Sequence, residues 1–201
     1  MPFPTLHEEN KLYLKGYQRV VGLDEVGRGA WAGPLIAAAV LVDRQQRVRG
    51  VHDSKLLTPQ KRESLYVDLV KTIPAWGIGI VEHDEIDRMG IVRANALAME
   101  RAVARLPFAP DMLLVDGLAL QGMDLPVMSF MKGDQRIYSI ACASILAKVT
   151  RDALMTRVHR QYPHYRFDEH KGYGTAYHYK MICQHGLCDI HRRSFDLARA
   201  E

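Results

Sequence analysis

The sequence predicts an α/β domain in which a mixed β-sheet is flanked by helices and followed by a small C-terminal helical segment. Two observations carry this expectation. Apolar runs of strand length come first as a group, "QRVVGLDE" and "GPLIAAAVLV", and later strand runs are interleaved with segments of helical periodicity. That order suits a mixed sheet better than a strict strand–helix repeat. With 201 residues the chain has the size of one domain, spanning 1–201.

Taken in order, Val20, Val21 and Leu23 read as a short strand that ends in an acidic pair, Asp24 and Glu25. Gly33 to Val42 is a continuous apolar run entered through Gly-Pro, the pattern of a buried strand. After the polar connection "DRQQRVRG", Thr58 and Pro59 mark a helix start as N-cap and first helical residue. Leu65, Leu69 and Ile73 then recur every fourth residue, which gives that helix one buried face. "AWGIGIVE" is a third strand. "HDEIDRMGIVRANALAMERAVARL" predicts a short helix, a glycine break and a longer amphipathic helix. "PDMLLVDG" is a strand ending at Asp116, and "PVMSFMKGD" is another running into Asp134. A long helix, "YSIACASILAKVTRDALMTRVHRQY", follows at once. Finally, "FDEHKGYGTAYHYKMICQHG" combines a glycine-rich loop with a shorter helix.

A hydrophobic fraction of 48% with 25% charged residues suits a globular protein in water. No stretch approaches the ~20 apolar residues that span a bilayer, and the mixed, charged N-terminus "MPFPTLHEENKLYLKGYQ" is unlike a signal peptide. A cytoplasmic protein with no membrane partner is therefore expected, with Cys142, Cys183 and Cys188 as reduced thiols. Cys183, His185, Cys188 and His191 match no standard structural-zinc spacing and read as a turn. The net charge is +4, but residues 131–193 hold eleven Lys/Arg against five Asp/Glu, so the rest of the chain is net acidic. Such segregation is the footprint of a nucleic-acid binder, and equally that of a solvated basic face.

An apolar strand followed by Asp recurs at Leu23-Asp24, at Val115-Asp116 and, through Lys132-Gly133, at Asp134. Strand ends are where sheet proteins place ligand sites, although single carboxylates there commonly form turns. If these groups converge, only a cation makes their mutual repulsion tolerable. Oxygen-only ligands suit Mg²⁺ or Mn²⁺ rather than zinc, and two such ions serve phosphodiester cleavage. On the long helix, Ser144, Lys148 and Asp152 share one face at four-residue intervals. They form either a polar stripe toward such a site, with Asp152 auxiliary, or a surface ion pair of Lys148 with Asp152.

"GLDEVGRG", "HDSKLL", "LLVDG", "KGD", "SIACASILAKVTRD", "HKGYGT" and "HRRSF" occur in that order. From about Val20 to Phe195 the chain strongly resembles the ribonuclease HII family, enzymes that cut DNA-linked RNA in RNA–DNA hybrids. About twenty residues precede the first motif, which fits this type better than ribonuclease HIII, whose members usually add an N-terminal nucleic-acid-binding domain.

The resemblance implies a ribonuclease H-like mixed sheet. It places the family's metal-binding carboxylates on Asp24, Glu25, Asp116 and Asp134, and its GRG loop on Gly27, Arg28 and Gly29. Backbone groups of that loop would sense the ribose 2′-OH beside the scissile phosphate. Tyr173 matches the tyrosine that stacks on the next sugar, and Lys55 and Arg28 match positions near the nucleic-acid backbone. The implied reaction is Mn²⁺- or Mg²⁺-dependent hydrolysis on the 5′ side of a ribonucleotide, leaving 3′-OH and 5′-phosphate ends. One ion is implied without substrate and two with it. The implied partners are RNA–DNA hybrids and ribonucleotide-containing duplex DNA, acted on by a monomer.

Physical logic agrees with these assignments. Reading one hydroxyl with backbone groups needs close approach, hence glycines. A ring placed where a second hydroxyl would lie reads its absence by exclusion. Departures from the family pattern are Trp31 after the GRG loop, which bears on groove shape, the apolar stretch "VDGLALQGMDLP", and Cys142 in place of a smaller residue. Two other readings stand beside this one, a noncatalytic nucleic-acid-binding domain and another two-metal nuclease of the same fold. Against phosphate binding alone, "GLDEVGRG" holds neither G-x-G-x-x-G nor a Walker lysine.

Overall fold

The computed structural model describes residues 3–117 and 124–197. Five strands form one mixed sheet in the order β3-β2-β1-β4-β5. They are β1 (Val20–Val26), β2 (Leu35–Leu41), β3 (Ala75–Val81), β4 (Met112–Asp116) and β5 (Val127–Phe130). β2 runs antiparallel to both β1 and β3, whereas β4 runs parallel to β1 and β5 parallel to β4. The expected mixed sheet is thus present, and each predicted strand falls on its run.

Helices cover both faces, which explains why "LIAAAVL" reads as a continuous apolar run rather than an alternation. On one side, α4 (Ile91–Ala104) packs Ala94, Ala98, Met99 and Ala102 against Leu23, Leu35, Ala37 and Leu113. On the other, α5 (Tyr138–His159) and α2 (Pro59–Thr72) bury Ile36, Ala38 and Val40. α2 begins as its sequence dictates, with the Thr58 hydroxyl accepting Lys61 N–H at 3.3 Å and Leu65 and Leu69 buried. A short α3 (His83–Met89) ends at Gly90, whose φ of 77° suits glycine and turns the chain into α4.

α5 is buried on all sides from Tyr138 to Ala147. It lies so close over β1 that a Cβ on Gly22 would come within 2.5 Å of the Ser139 backbone. Glycine at position 22 is what lets the helix settle there. The N-terminal stretch, which carries no strong helical signal, forms α1 (His7–Leu14). Its Leu12 packs with Val20, Met112 and Ile140, and its buried Glu9 accepts the Ser139 N–H at 2.8 Å. A carboxylate at the start of α5 satisfies an otherwise orphaned donor and complements the helix dipole.

One expectation changes in detail. β5 stops at Phe130, and Asp134 sits not at a strand end but in a 3₁₀ turn, Gly133–Gln135, that leads into α5. Lys132 takes a left-handed conformation, φ 55°, to make that turn. The C-terminal segment forms α6 (Phe167–His170) and α7 (Ala176–His185). With Ala32 and Met155 they build a small core around Tyr165, Phe167 and Met181. Among the described residues no helix is long and apolar enough to cross a membrane.

Candidate active site

Strand register brings the first two carboxylates together. Leu23 pairs with Val115 across the parallel β1–β4 ladder, so the next residues, Asp24 and Asp116, lie side by side at the same sheet end. Period-two alternation turns both away from the α4 core and toward α5. The turn after β5 supplies the third, because Gly133 N–H donates to Asp116 Oδ1 at 2.6 Å and Asp134 follows directly. One oxygen from each of Asp24, Asp116 and Asp134 falls within 4.8 Å of the others. Asp24 and Asp134 are only 6% and 2% exposed, so this repulsion is not relieved by water.

Glu25 stands slightly apart from these three. Its carboxylate faces the Arg28 guanidinium at 3.5 Å. Burial raises its pKa, the Arg28 charge opposes that rise, and Asp116 adds to it. Burial also pushes Asp24 well above the usual carboxylate range, and the charges of Glu25, Asp116 and Asp134 push it further. Asp134 is raised to about 6 by burial and by the charges of Asp116 and Asp53. Nearby, Lys55 Nζ lies 3.9 Å from Asp134 Oδ2. Burial works against its charge, yet the surrounding carboxylates raise its pKa overall. An all-oxygen donor set with this excess of negative charge fits a hard divalent cation such as Mg²⁺ or Mn²⁺.

Two supporting residues escaped the sequence reading. Asp53, 3% exposed, faces Asp134, whose pKa its charge helps to raise, and accepts Lys55 N–H at 2.9 Å and Gln135 Nε2 at 3.1 Å. Ser54 Oγ lies 2.8 Å from Ser144 Oγ, and Ser144 hydrogen-bonds Asp24. The signal was the "HDSKLL" stretch, from which only Lys55 was singled out.

The glycine loop after β1 lies against the C-terminal segment. Gly27 has φ +96°, while Gly29 has ordinary φ and open space where a Cβ would stand. The Arg28 carbonyl accepts Arg192 Nη1 at 3.0 Å. Ala30 and Tyr173 form an antiparallel bridge, and Trp31 N–H donates to the Gly172 carbonyl at 2.8 Å. The Arg151 guanidinium sits 5.3 Å from the centre of the Tyr173 ring. Residues more than 140 positions apart in the chain thus form one surface beside the carboxylates.

A family model described as Ribonuclease HII matches residues 21–198. The chain belongs to the ribonuclease HII family. The Ribonuclease HII of Caldicellulosiruptor saccharolyticus is 47% identical over 187 residues, 93% of this chain and 91% of the relative. That of Dehalococcoides mccartyi is 47% identical over 195 residues, 96% and 92% of the two chains. Among solved structures, ribonuclease H2 from Pyrococcus horikoshii superposes with a TM-score of 0.74 at 27% identity, covering 90% of this chain and 95% of that one. Membership of the ribonuclease HII family makes the protein a metal-dependent ribonuclease H endonuclease and removes the noncatalytic reading.

Not every expected site residue joins the carboxylates. Along α5 the stripe divides: Ser144 reaches Asp24, whereas Lys148 Nζ and Asp152 Oδ1 pair with each other at 2.8 Å. That pair lines a groove with Arg62, Thr156 and Lys171. Trp31, the departure from the ribonuclease HII pattern, is buried against Gly174 and lies 5.5 Å from the His178 ring. Cys142 is fully buried in α5, as its sequence setting suggested. Cys183 and Cys188 are free thiols, and among the described residues the one grouping of three or more potential ligands is the Asp24 cluster. The stretch following Asp116 falls largely on residues 118–123, outside the described residues.

Proposed function

We propose that this endonuclease cuts on the 5′ side of ribonucleotides, in RNA–DNA hybrids and in duplex DNA, leaving 3′-OH and 5′-phosphate ends. The observation that carries the reading is the convergence of Asp24, Asp116 and Asp134 on one buried point beside Lys55. Asp24, Glu25 and Asp116 are the residues to hold a first Mg²⁺ or Mn²⁺, and Asp134 joins them for a second when substrate is bound. The bound ions supply charge to activate water and to stabilise the leaving oxygen of the phosphodiester.

The remaining residues orient and select. Gly133 N–H fixes Asp116, and the Ser54–Ser144 pair fixes Asp24. Lys55, already drawn toward the carboxylates, is placed to meet a phosphate. Open space at Gly29 admits a sugar close to the backbone, where peptide groups can both donate to and accept from a 2′-OH. Tyr173, bridged to Ala30, is placed to pack on the following sugar and favour one lacking that hydroxyl.

The test is cleavage of a DNA duplex containing a single ribonucleotide, in Mg²⁺ and in Mn²⁺, beside an all-DNA control. A cut immediately 5′ to the ribonucleotide is expected, with the control intact. Cleavage of the control would favour a general two-metal nuclease instead.

A further inference from the structure

His178 and His191 are completely buried, and neither touches the carboxylates. The Tyr173 carbonyl sets the tautomer of both rings. His178 Nδ1 lies 2.9 Å from the Tyr173 carbonyl oxygen, which can only accept, so Nδ1 carries the proton. In the neutral ring Nε2 is then an acceptor. It lies 3.0 Å from His191 Nε2, which must donate. His191 Nδ1 is consequently an acceptor, taking the Cys188 N–H at 2.9 Å, with the Cys188 thiol at 3.1 Å and its carbonyl oxygen at 3.3 Å beside it. The result is a directed chain from the Cys188 amide, through two imidazoles, to the carbonyl of Tyr173. Burial lowers both rings to about 4, so the chain is intact at neutral pH.

The loop at the end of this chain has every backbone polar group accounted for. Lys171 N–H donates to Phe167 O at 3.1 Å, and Lys171 O accepts Arg151 Nη1 at 2.8 Å. Gly172 N–H donates to His170 Nδ1 at 3.2 Å, and Gly172 O accepts the Trp31 and Ala32 amides. Tyr173 N–H donates to His170 O at 2.9 Å. His170 is fixed in turn, since its Nε2 donates to Tyr165 O at 2.6 Å, and its ring stacks on His178 with centroids 4.5 Å apart. A segment with left-handed residues at both Lys171 and Gly172 would otherwise be easily rearranged.

We infer that His178 and His191 are positioning residues for substrate selection, acting through Tyr173: the fixed-tautomer chain holds the tyrosine where it reads the sugar after the ribonucleotide. This rests on the reading of Tyr173 given above. Their contribution is therefore specific to substrates with an RNA-to-DNA step close to the cut. A continuous RNA–DNA hybrid, which offers no such step at the tyrosine, depends on them less.

Two measurements test it. In the wild-type protein, ¹H–¹⁵N correlation of the imidazole nitrogens should show His178 protonated at Nδ1 and His191 at Nε2; the opposite tautomers overturn the chain. In kinetics, His191→Phe should lower kcat on the single-ribonucleotide duplex about tenfold more than on the continuous hybrid, the scale of one buried hydrogen bond. His191→Gln, whose amide nitrogen can still donate to His178, should recover most of that difference. An equal loss on both substrates marks a merely structural pair and overturns the inference. Tyr173→Ala separates the two readings. If it abolishes the preference while His191→Phe keeps it, the chain is irrelevant; if Tyr173→Ala keeps the preference, the role of the tyrosine falls and the inference falls with it.

Discussion

The α carbon of Gly27 faces the guanidinium of Arg151 so closely that a Cβ there would collide with Nε. Arg151 is fully buried and, among the described residues, has no carboxylate partner; it donates instead to the carbonyls of Pro34, Ala32 and Lys171. A buried cation satisfied by main-chain oxygens clamps the loop after β1 to the loop that carries Tyr173. The glycines on either side of Arg28 therefore do different work.

Gly27→Ala combines a positive φ with that collision, and is expected to cost about 3 kcal/mol or more. For a chain of this length that lowers Tm by roughly 6–12 °C. Gly29→Ala meets open space at ordinary φ, and should leave stability within about 0.5 kcal/mol. Its effect falls on cleavage, reduced about tenfold or more because the new methyl stands where a sugar must approach. Thermal denaturation beside single-ribonucleotide cleavage separates the two; equal destabilisation would show that Gly29 is structural as well.

Asp24→Asn should move activity and stability in opposite directions. Cleavage is expected to fall by about three orders of magnitude or more, because a ligand of the bound ions is lost. Binding to a hybrid should be largely spared. Without divalent ions the same substitution removes a buried charge that Glu25, Asp116 and Asp134 all repel. Denaturation in EDTA should accordingly show the variant about 1–3 kcal/mol more stable than wild type. A destabilised variant would mean that the cluster is compensated by something other than a cation.

Much of this arrangement was legible in the sequence because it follows from local pattern. Apolar runs gave the strands, Thr58-Pro59 gave the start of α2, and Asp24 and Asp116 were marked by the strand ends that carry them. Asp134 was found as a residue but misplaced, since the left-handed Lys132 that ends β5 early leaves no trace in residue type. α1 was missed because its eight residues are mostly polar, and its place is set by Leu12 and Glu9 meeting distant partners. The same reason hid Asp53, Ser54 and His178, and left His191 as no more than part of a turn. Each is an ordinary polar residue whose importance lies in one contact across the fold, and no periodicity encodes such a contact.

Acid should weaken the fold through the two buried histidines. Their folded values near 4 lie below the unfolded value of about 6.5, so the unfolded chain takes up protons first as pH falls. Stability contributed by the neutral pair is complete above about pH 6.5 and is lost toward pH 4, by at most roughly 3 kcal/mol per ring. The groups facing the pair reinforce this direction: His170 opposes charge on both rings, and Arg193 and His83 oppose it on His191. Cys188, its thiol raised to about 11, stays neutral throughout. Asp134, raised to about 6, acts in the opposite sense, so the measurement compares wild type with His178→Asn in EDTA between pH 8 and pH 5. The variant should lose less stability over that range; parallel curves would show that the pair does not govern the acid limb.

Salt dependence isolates the role of Lys55. Its ammonium is held near Asp134 at 3.9 Å yet its side chain is 79% exposed, so it remains accessible to a phosphate. Binding of a hybrid should weaken linearly as log salt rises, because each neutralised phosphate releases counterions. Lys55→Ala, measured in the Asp24→Asn background so that substrate is bound but not cut, should reduce that slope by about one and weaken binding to all sequences alike. The charge segregation of the chain predicts that several residues between 131 and 193 share the remaining slope. An unchanged slope in Lys55→Ala would assign the lysine to the carboxylates alone, holding Asp134 in place rather than meeting the substrate.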